Sequence, residues 1–265
     1  MDICNKVKNS LFLILRLKRM LYSENKLQKS NTSDEISNIS PKKVMTWNIQ
    51  SLFFYTTPKK VNNIIKQIIL FSEDVDLICL QEVFEDDVKI QIIESVRQYY
   101  PYYLLGETQK NYIVGEDSGI LILSKYNMNL KKEVKLDCVF PCSMANKSII
   151  YFSIGNYNFA TTHLQCEHFD ISEDQIMKIV YESPFNDYII LGDLNHYEAD
   201  DILGIKRNNY KSTYEDIILD YILPIQCNDI DIDVNVNNID IRNMTDHQPV
   251  EGVLIQKSQQ PESNR

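Results

Sequence analysis

The stretch Tyr188-Ile189-Ile190-Leu191-Gly192-Asp193-Leu194-Asn195-His196 constrains the fold more than any other part of the chain. Its apolar run, closed by glycine, reads as a buried strand. Asp193 and Asn195 stand two apart, so on an extended chain both leave the same side, at the mouth of the core that buries the strand. Taken alone, the stretch is either an Asx turn after a strand or one wall of a site for a metal or phosphate.

The same pattern recurs along the chain. Lys43 to Ile49 reads as a strand with Asn48 near its end, and Pro58 opens a helix to Phe71 with Val61, Ile64, Ile65, Ile68 and Ile69 on one stripe. Val75 to Leu80 is the next strand and runs into Glu82; a helix from Asp86 to Tyr99 follows, acidic in its first turn. Strand then helix, twice, implies a layered α/β unit. Strands are then expected over 102–105, 118–125, 131–140, 147–154 and 157–162, the last two joined by Gly155-Asn156, with His163 at the end. A helix over 172–182 with Ser172 as its cap leads to the Asp193 strand. Residues 217–223 form a strand holding one carboxylate, Asp220, in an apolar run, and a buried charge needs a partner. Asp246-His247 precedes the last strand, 250–256.

The chain has 265 residues, 27 basic and 37 acidic; residues 1–30 hold seven basic and two acidic, which leaves 20 and 35 in the rest. An acidic body argues against indiscriminate nucleic-acid binding, which depends on Lys and Arg, but suits a site holding a divalent cation. We expect a basic amphipathic helix and linker over 1–41, one catalytic domain over 42–257 and a disordered tail over 258–265. The apolar-basic run 10–21 is too short to span a bilayer; it suits a membrane surface, a targeting segment, or a helix packed on the domain. The six cysteines form no CxxC pair and no zinc spacing, so reduced thiols are the default; Cys138 and Cys142 are close enough in sequence to bridge in an oxidising compartment.

Thr46-Trp47-Asn48, Leu80-Gln81-Glu82-Val83, Ser118-Gly119-Ile120-Leu121-Ile122-Leu123-Ser124, Thr162-His163-Leu164, Gly192-Asp193-Leu194-Asn195, Leu219-Asp220-Tyr221 and Thr245-Asp246-His247 together resemble the ordered motif set of the endonuclease/exonuclease/phosphatase superfamily. Any one motif is weak; seven in order are specific. The resemblance implies an α/β fold, a four-layer αββα sandwich of two packed mixed sheets with helices outside, and Mg²⁺-dependent phosphoester hydrolysis at one end, with Mn²⁺ as the substitute. It places Glu82, Asn48 and Asp246 at the metal. His247 becomes the general base and Asp220 its orienting partner, while His163 donates to a phosphoryl oxygen and Asp193 and Asn195 orient the nucleophile and phosphate. Elementary chemistry agrees: Mg²⁺ takes hard oxygen ligands, and histidine titrates near neutrality.

Within the superfamily, Ala145-Asn146-Lys147-Ser148 and Thr161-Thr162-His163-Leu164-Gln165 are similar to the neutral sphingomyelinase branch, with departures at Ser148 and Asp174. Thr46-Trp47-Asn48-Ile49 resembles the tyrosyl-DNA phosphodiesterase version of the first motif. The expected substrate is therefore a phosphodiester, a lipid head group ahead of nucleic acid; the alternatives are a nuclease and an inactive binding protein on the same fold. We expect a monomer, cytoplasmic in preference, with peripheral membrane contact through residues 10–21.

Overall fold

The structure is a computed structural model and describes residues 40–52, 56–106, 116–206 and 211–257. The N-terminal segment 10–21, the linker up to residue 39 and the tail 258–265 lie outside the described residues. One sheet has six strands: β1 (Lys43–Ser51), β2 (Leu77–Val83), β3 (Tyr102–Leu105), β4 (Leu121–Ser124), β10 (Ile230–Val236) and β11 (Val250–Gln256), in the order β10-β11-β1-β2-β4-β3. The other has five, in chain order: β5 (Asn129–Lys135), β6 (Ser148–Ile154), β7 (Tyr157–His163), β8 (Tyr188–Asp193) and β9 (Asp220–Ile225). Both are mixed. β1 runs parallel to β2, and β7 to β8, whereas the remaining pairs are antiparallel.

Each parallel pair needs a crossover, and helices supply it. Helix α1 (Pro58–Phe71) joins β1 to β2; Thr57 caps it, its side chain accepting from the Lys60 amide, and Pro58 occupies the first turn, where no amide partner is missed. Its Val61, Ile64 and Ile68 pack on Met45, Trp47 and Ile49 together with residues of α2 (Asp86–Val96). Helix α3 (Phe169–Tyr181) joins β7 to β8 and lays Ile176 and Ile179 on Tyr151 and Ile190. Between the sheets a third apolar cluster holds Val44, Leu77, Ile122, Phe152, Phe159, Ile189, Leu191, Ile222 and Val250. Three apolar interfaces separate four layers, which is the expected αββα sandwich.

Several boundaries differ from the sequence reading, three of them with a clear physical cause. Helix α3 begins at Phe169, because the His168 carbonyl accepts from the Ile171 and Ser172 amides; Ser172 lies inside the first turn, its hydroxyl donating to the Phe169 carbonyl. The strand expected over 131–140 is β5, which ends at Lys135. Beyond it the main chain bonds to side chains: the Asp137 carbonyl accepts from Gln175 Nε2, and the Val139 amide donates to Gln165 Oε1. The strand expected over 217–223 is β9, which starts at Asp220, because Ile217 pairs back onto Tyr214. Strand β10 was not anticipated. Its Ile230-Asp231-Ile232-Asp233-Val234-Asn235-Val236 alternation puts Ile232 and Val236 into the inter-sheet core.

Gly192 sits where β8 pairs with Thr162 of β7, and a Cβ there would stand 2.3 Å from the Thr162 carbonyl oxygen. Backbone cannot yield as a flexible side chain would, so the close approach requires glycine. Gly192→Ala should destabilise the fold by roughly 1–3 kcal/mol, the usual range for overpacking. The check is a lower urea midpoint at unchanged slope; an unaltered midpoint would mean that the two strands can separate freely.

Candidate active site

The topology gathers one edge. Asn48, Glu82, His163 and Asp193 lie at or near the C-terminal ends of parallel strands, and Asp220 begins β9, which runs the other way, so its start meets their ends. In register, His163 pairs with Asp193 and Asp193 with Asp220. Cross-strand partners share a face, so one row of the five-stranded sheet points three functional side chains at the six-stranded sheet. Asn48 answers from β1, its Nδ2 donating to Asp193 Oδ2 at 2.9 Å. Asp246 and His247 enter from the segment before β11.

Every residue singled out in the sequence reading lies in this one cluster. His247 Nδ1 is 2.7 Å from Asp220 Oδ2, and both are buried. The second ring nitrogen of His247 lies 3.9 Å from Asp246 Oδ1. His163 Nε2 is 3.7 Å from both Glu82 Oε1 and Asp193 Oδ2, near enough to feel each charge and too far for a hydrogen bond. Asn195 closes the Asx turn that was its alternative reading, its amide donating to Asp193 Oδ1, and its own Nδ2 donates to the Leu164 carbonyl. The turn and the site are therefore the same structure. Glu82 and Asn195 both have positive φ, 57° and 48°. Non-glycine residues hold that conformation only where their surroundings enforce it.

The electrostatics are those of buried acid in excess. Burial, and then the charge of Asp220, push Asp193 up to about 7, against the pull of His247 and Asn48. His247 is shifted the other way: burial opposes its charge, but Asp220, Asp193 and Asp246 raise it to about 10. His163 is driven well below its ordinary value by burial, with Lys147 and His247 adding repulsion, and is neutral. This differs from the expectation that His247 titrates near neutrality: the three carboxylates around it outweigh burial and favour the protonated ring.

Several residues of the cluster escaped the sequence reading. Gln50 donates its amide to Asn48 Oδ1 and its Nε2 to Asp246 Oδ2, at 3.0 and 2.6 Å. Buried Lys60, from the α1 stripe, donates to the Gln50 carbonyl at 2.6 Å, and its charge reaches Asp246 and Glu82. The Tyr214 ring lies 4.8 Å from that of His247, and Thr213 Oγ1 accepts from the amides of Leu219 and Asp220. A glutamine two residues past Asn48 was a readable signal. A lysine on a helix and a tyrosine in a loop carry none.

A sequence profile described as "Endonuclease/Exonuclease/phosphatase family" matches residues 45–224. The chain belongs to that family. Solved structures agree in fold: beta toxin from Staphylococcus aureus, 17% identical, covers 82% of this chain and 100% of its own at a TM-score of 0.65. Sphingomyelinase C from Streptomyces griseocarneus, 15% identical, covers 81% and 99% at 0.64, and truncated Caenorhabditis elegans TDP2, 18% identical, covers 81% and 97% at 0.56. A variant of the toxin, 16% identical to this chain, was crystallised with bound magnesium ions. Among curated proteins, an uncharacterized protein of Dictyostelium discoideum is 38% identical over 68 residues; the match spans 26% of this chain and 6% of that protein's length.

The donor set of this family member fits a hard cation. Glu82 Oε2 and Asp220 Oδ1 are buried without a hydrogen-bond partner, and ligand atoms of Asp193, Asp220 and His247 lie within 4.8 Å of one another. His247 Nδ1 is already engaged by Asp220, so the oxygens, Glu82 Oε2 first, are the better ligands. Asn48 Oδ1 accepts from the Gln50 amide and keeps one lone pair. In the metal-free protein the His247 ring should titrate near 10 by NMR, and Asp220→Asn should bring it down by about one unit or more. An unmoved midpoint would remove Asp220 as the cause.

Proposed function

We propose that this phosphoesterase-family chain is a Mg²⁺-dependent phosphodiesterase that hydrolyses its substrate by attack of water, with His247 as general base. The carrying observation is the buried His247–Asp220 pair beside the Glu82, Asp193 and Asn48 oxygens. Asp220 holds the Nδ1 proton, which leaves Nε2 as the atom facing the reacting water. Neutral His163 offers its Nε2 proton to a phosphoryl oxygen. Asn195, fixed by Leu164, and Asp193 position the phosphate and the water. Glu82, Asn48 and Asp246 would hold the cation, whose charge polarises the phosphoryl oxygen and offsets charge developing in the transition state. With the cation held there, Asp220 would keep the Nδ1 proton and His247 Nε2 would be free to accept one.

For the substrate, apolar loops support a lipid. Val139, Phe140 and Met144 are exposed on the segment between β5 and β6, and Phe140 keeps 72% of its surface. That segment is hydrogen-bonded to Gln165, two residues past His163. Phe169 and Tyr197, also exposed, meet edge to face beside His196, just past Asn195. Large exposed apolar side chains on the loops that leave the catalytic strands suit an interface with acyl chains. A sphingomyelinase-like phospholipid phosphodiesterase is therefore our first reading. The nuclease reading keeps the Thr46-Trp47-Asn48-Ile49 string in its favour. Among the described residues no helix is long and apolar enough to cross a membrane, which fits contact from one side through these loops and the 10–21 segment.

Sphingomyelin vesicles and duplex or single-stranded DNA offered to the same preparation test the choice: choline phosphate release without nicking supports the lipid reading, and nicking alone reverses it. His247→Ala should lower Mg²⁺-dependent hydrolysis of bis-nitrophenyl phosphate by roughly two orders of magnitude or more with the circular dichroism spectrum intact. Near-normal turnover would refute its role as base. Glu82→Gln should weaken Mg²⁺ binding, measured by calorimetry, about tenfold or more, since an amide replaces the unpartnered carboxylate oxygen; unchanged affinity would move the metal elsewhere.

A further inference from the structure

Cys142 lies in a single 3₁₀ turn (Cys142–Met144) between β5 and β6, and Cys166 lies three residues past His163. Their sulfurs are 2.7 Å apart, and the Cys166 amide donates to Cys142 Sγ at 3.2 Å. Cys142 Sγ thus has an N–H donor in addition to its contact with the Cys166 sulfur. Neither is fully buried. Three side-chain bonds hold the two segments together beside them: Val139 amide to Gln165 Oε1 at 3.0 Å, Gln165 amide to Gln175 Oε1 at 2.8 Å, and Gln175 Nε2 to the Asp137 carbonyl at 2.7 Å. The backbone on both sides is thus clamped before any covalent bond exists.

We propose that Cys142 and Cys166 form a reversible thiol–disulfide site that reacts with small disulfides such as oxidised glutathione and locks the apolar β5–β6 segment to the strand end carrying His163. Closing a 2.7 Å separation to the covalent distance of about 2.05 Å asks little of the sulfurs. The roles of the two thiols differ. The hydrogen bond from Cys166, and then the charge of Lys147, outweigh burial and lower Cys142 to about 6, while Cys166 is raised by the same hydrogen bond. Cys142 is the nucleophile.

Its thiolate attacks one sulfur of the small disulfide, giving a mixed disulfide and releasing one thiol. Cys166 then loses its proton to solvent and attacks Cys142 Sγ, expelling the second thiol. Two protein thiols are oxidised and one small disulfide is reduced. Cys138, close enough to Cys142 in sequence to bridge, does not take part: its thiol donates to the Leu136 carbonyl and receives Gln175 Nε2. Cys79 is buried and its thiol pushed up to about 12, and Cys227 donates to the Tyr188 and Ile225 carbonyls.

The test is to treat the full chain with oxidised glutathione and map its peptides without reduction. Residues 136–147 contain both Cys138 and Cys142, so variants must separate them. The expected product has lost two hydrogens and links the 136–147 peptide to the one holding Cys166; the link persists in Cys138→Ser, disappears in Cys142→Ser and Cys166→Ser, and opens with dithiothreitol. Hydrogen exchange over 136–147 should slow on oxidation of the wild type and not of Cys142→Ser. A Cys138–Cys142 bridge, a glutathione adduct on Cys142 that Cys166 never resolves, or unchanged exchange in the linked protein would each overturn the proposal. None of these readouts depends on hydrolysis, so failure here leaves the catalytic reading standing.

Discussion

Two sheets packed face to face bring buried carboxylates to one edge, and the cost of that burial governs the rest of the site. An ionised carboxylate taken out of water costs several kcal/mol unless paired. Here Asp193, Asp220 and Glu82 converge from three strands, with Asp246 beside them. The fold meets the cost in part, through Asn48 on Asp193, His247 on Asp220 and the charge of Lys60 near Glu82 and Asp246. Compensation is incomplete: Asp193 is raised to about 7, and Glu82 keeps an unpartnered oxygen. A divalent cation is the complement that suits such a cluster, and the same carboxylates, Asp220 first, are what raise His247.

Backbone conformations that non-glycine residues seldom adopt cluster beside the same carboxylates. Positive φ at Gln50 and Glu82 falls where the β1–β2 register shifts between Asn48 and Ser51, and at Asn195 just past the end of β8. The Trp47 indole N–H donates to the His247 carbonyl at 3.0 Å, and the Thr245 hydroxyl to that of Asn48 at 2.8 Å, so the loop carrying His247 is stitched to β1. Apolar packing beneath these bonds is dense; Trp47, Ile49, Leu80 and Leu191 are fully buried. A strained edge on a rigid sandwich is how a site holds its geometry without its ligand.

Loops supply what the strands do not. The segment between β5 and β6 read as continued strand, because Val134, Leu136, Cys138 and Phe140 alternate. Pro141 and the side-chain bonds from Gln165 and Gln175 convert it into an apolar protrusion beside His163. The exposure of Val139, Phe140 and Met144 and the Cys142–Cys166 contact both depend on that conversion. Neither followed from residue spacing, since Cys142 and Cys166 are 24 residues apart and meet only because β6 and β7 form a hairpin.

By itself the sequence determined the strand-and-helix order of the layers and which polar residues stand at strand ends, because each rests on local periodicity or on short motifs such as Gly192-Asp193-Leu194-Asn195. β10 was legible in its strict alternation and was overlooked. Tertiary structure alone decided the partners: Gln50 and Lys60 against Asp246 and Glu82, Tyr214 against His247, Cys142 with Cys166 instead of Cys138. It also decided the protonation of His247 and His163, two histidines that are alike in composition and opposite in environment. Spacing along a chain sets which face a side chain leaves from. Only packing sets which charges lie within a few ångströms of it and how little water is left between them.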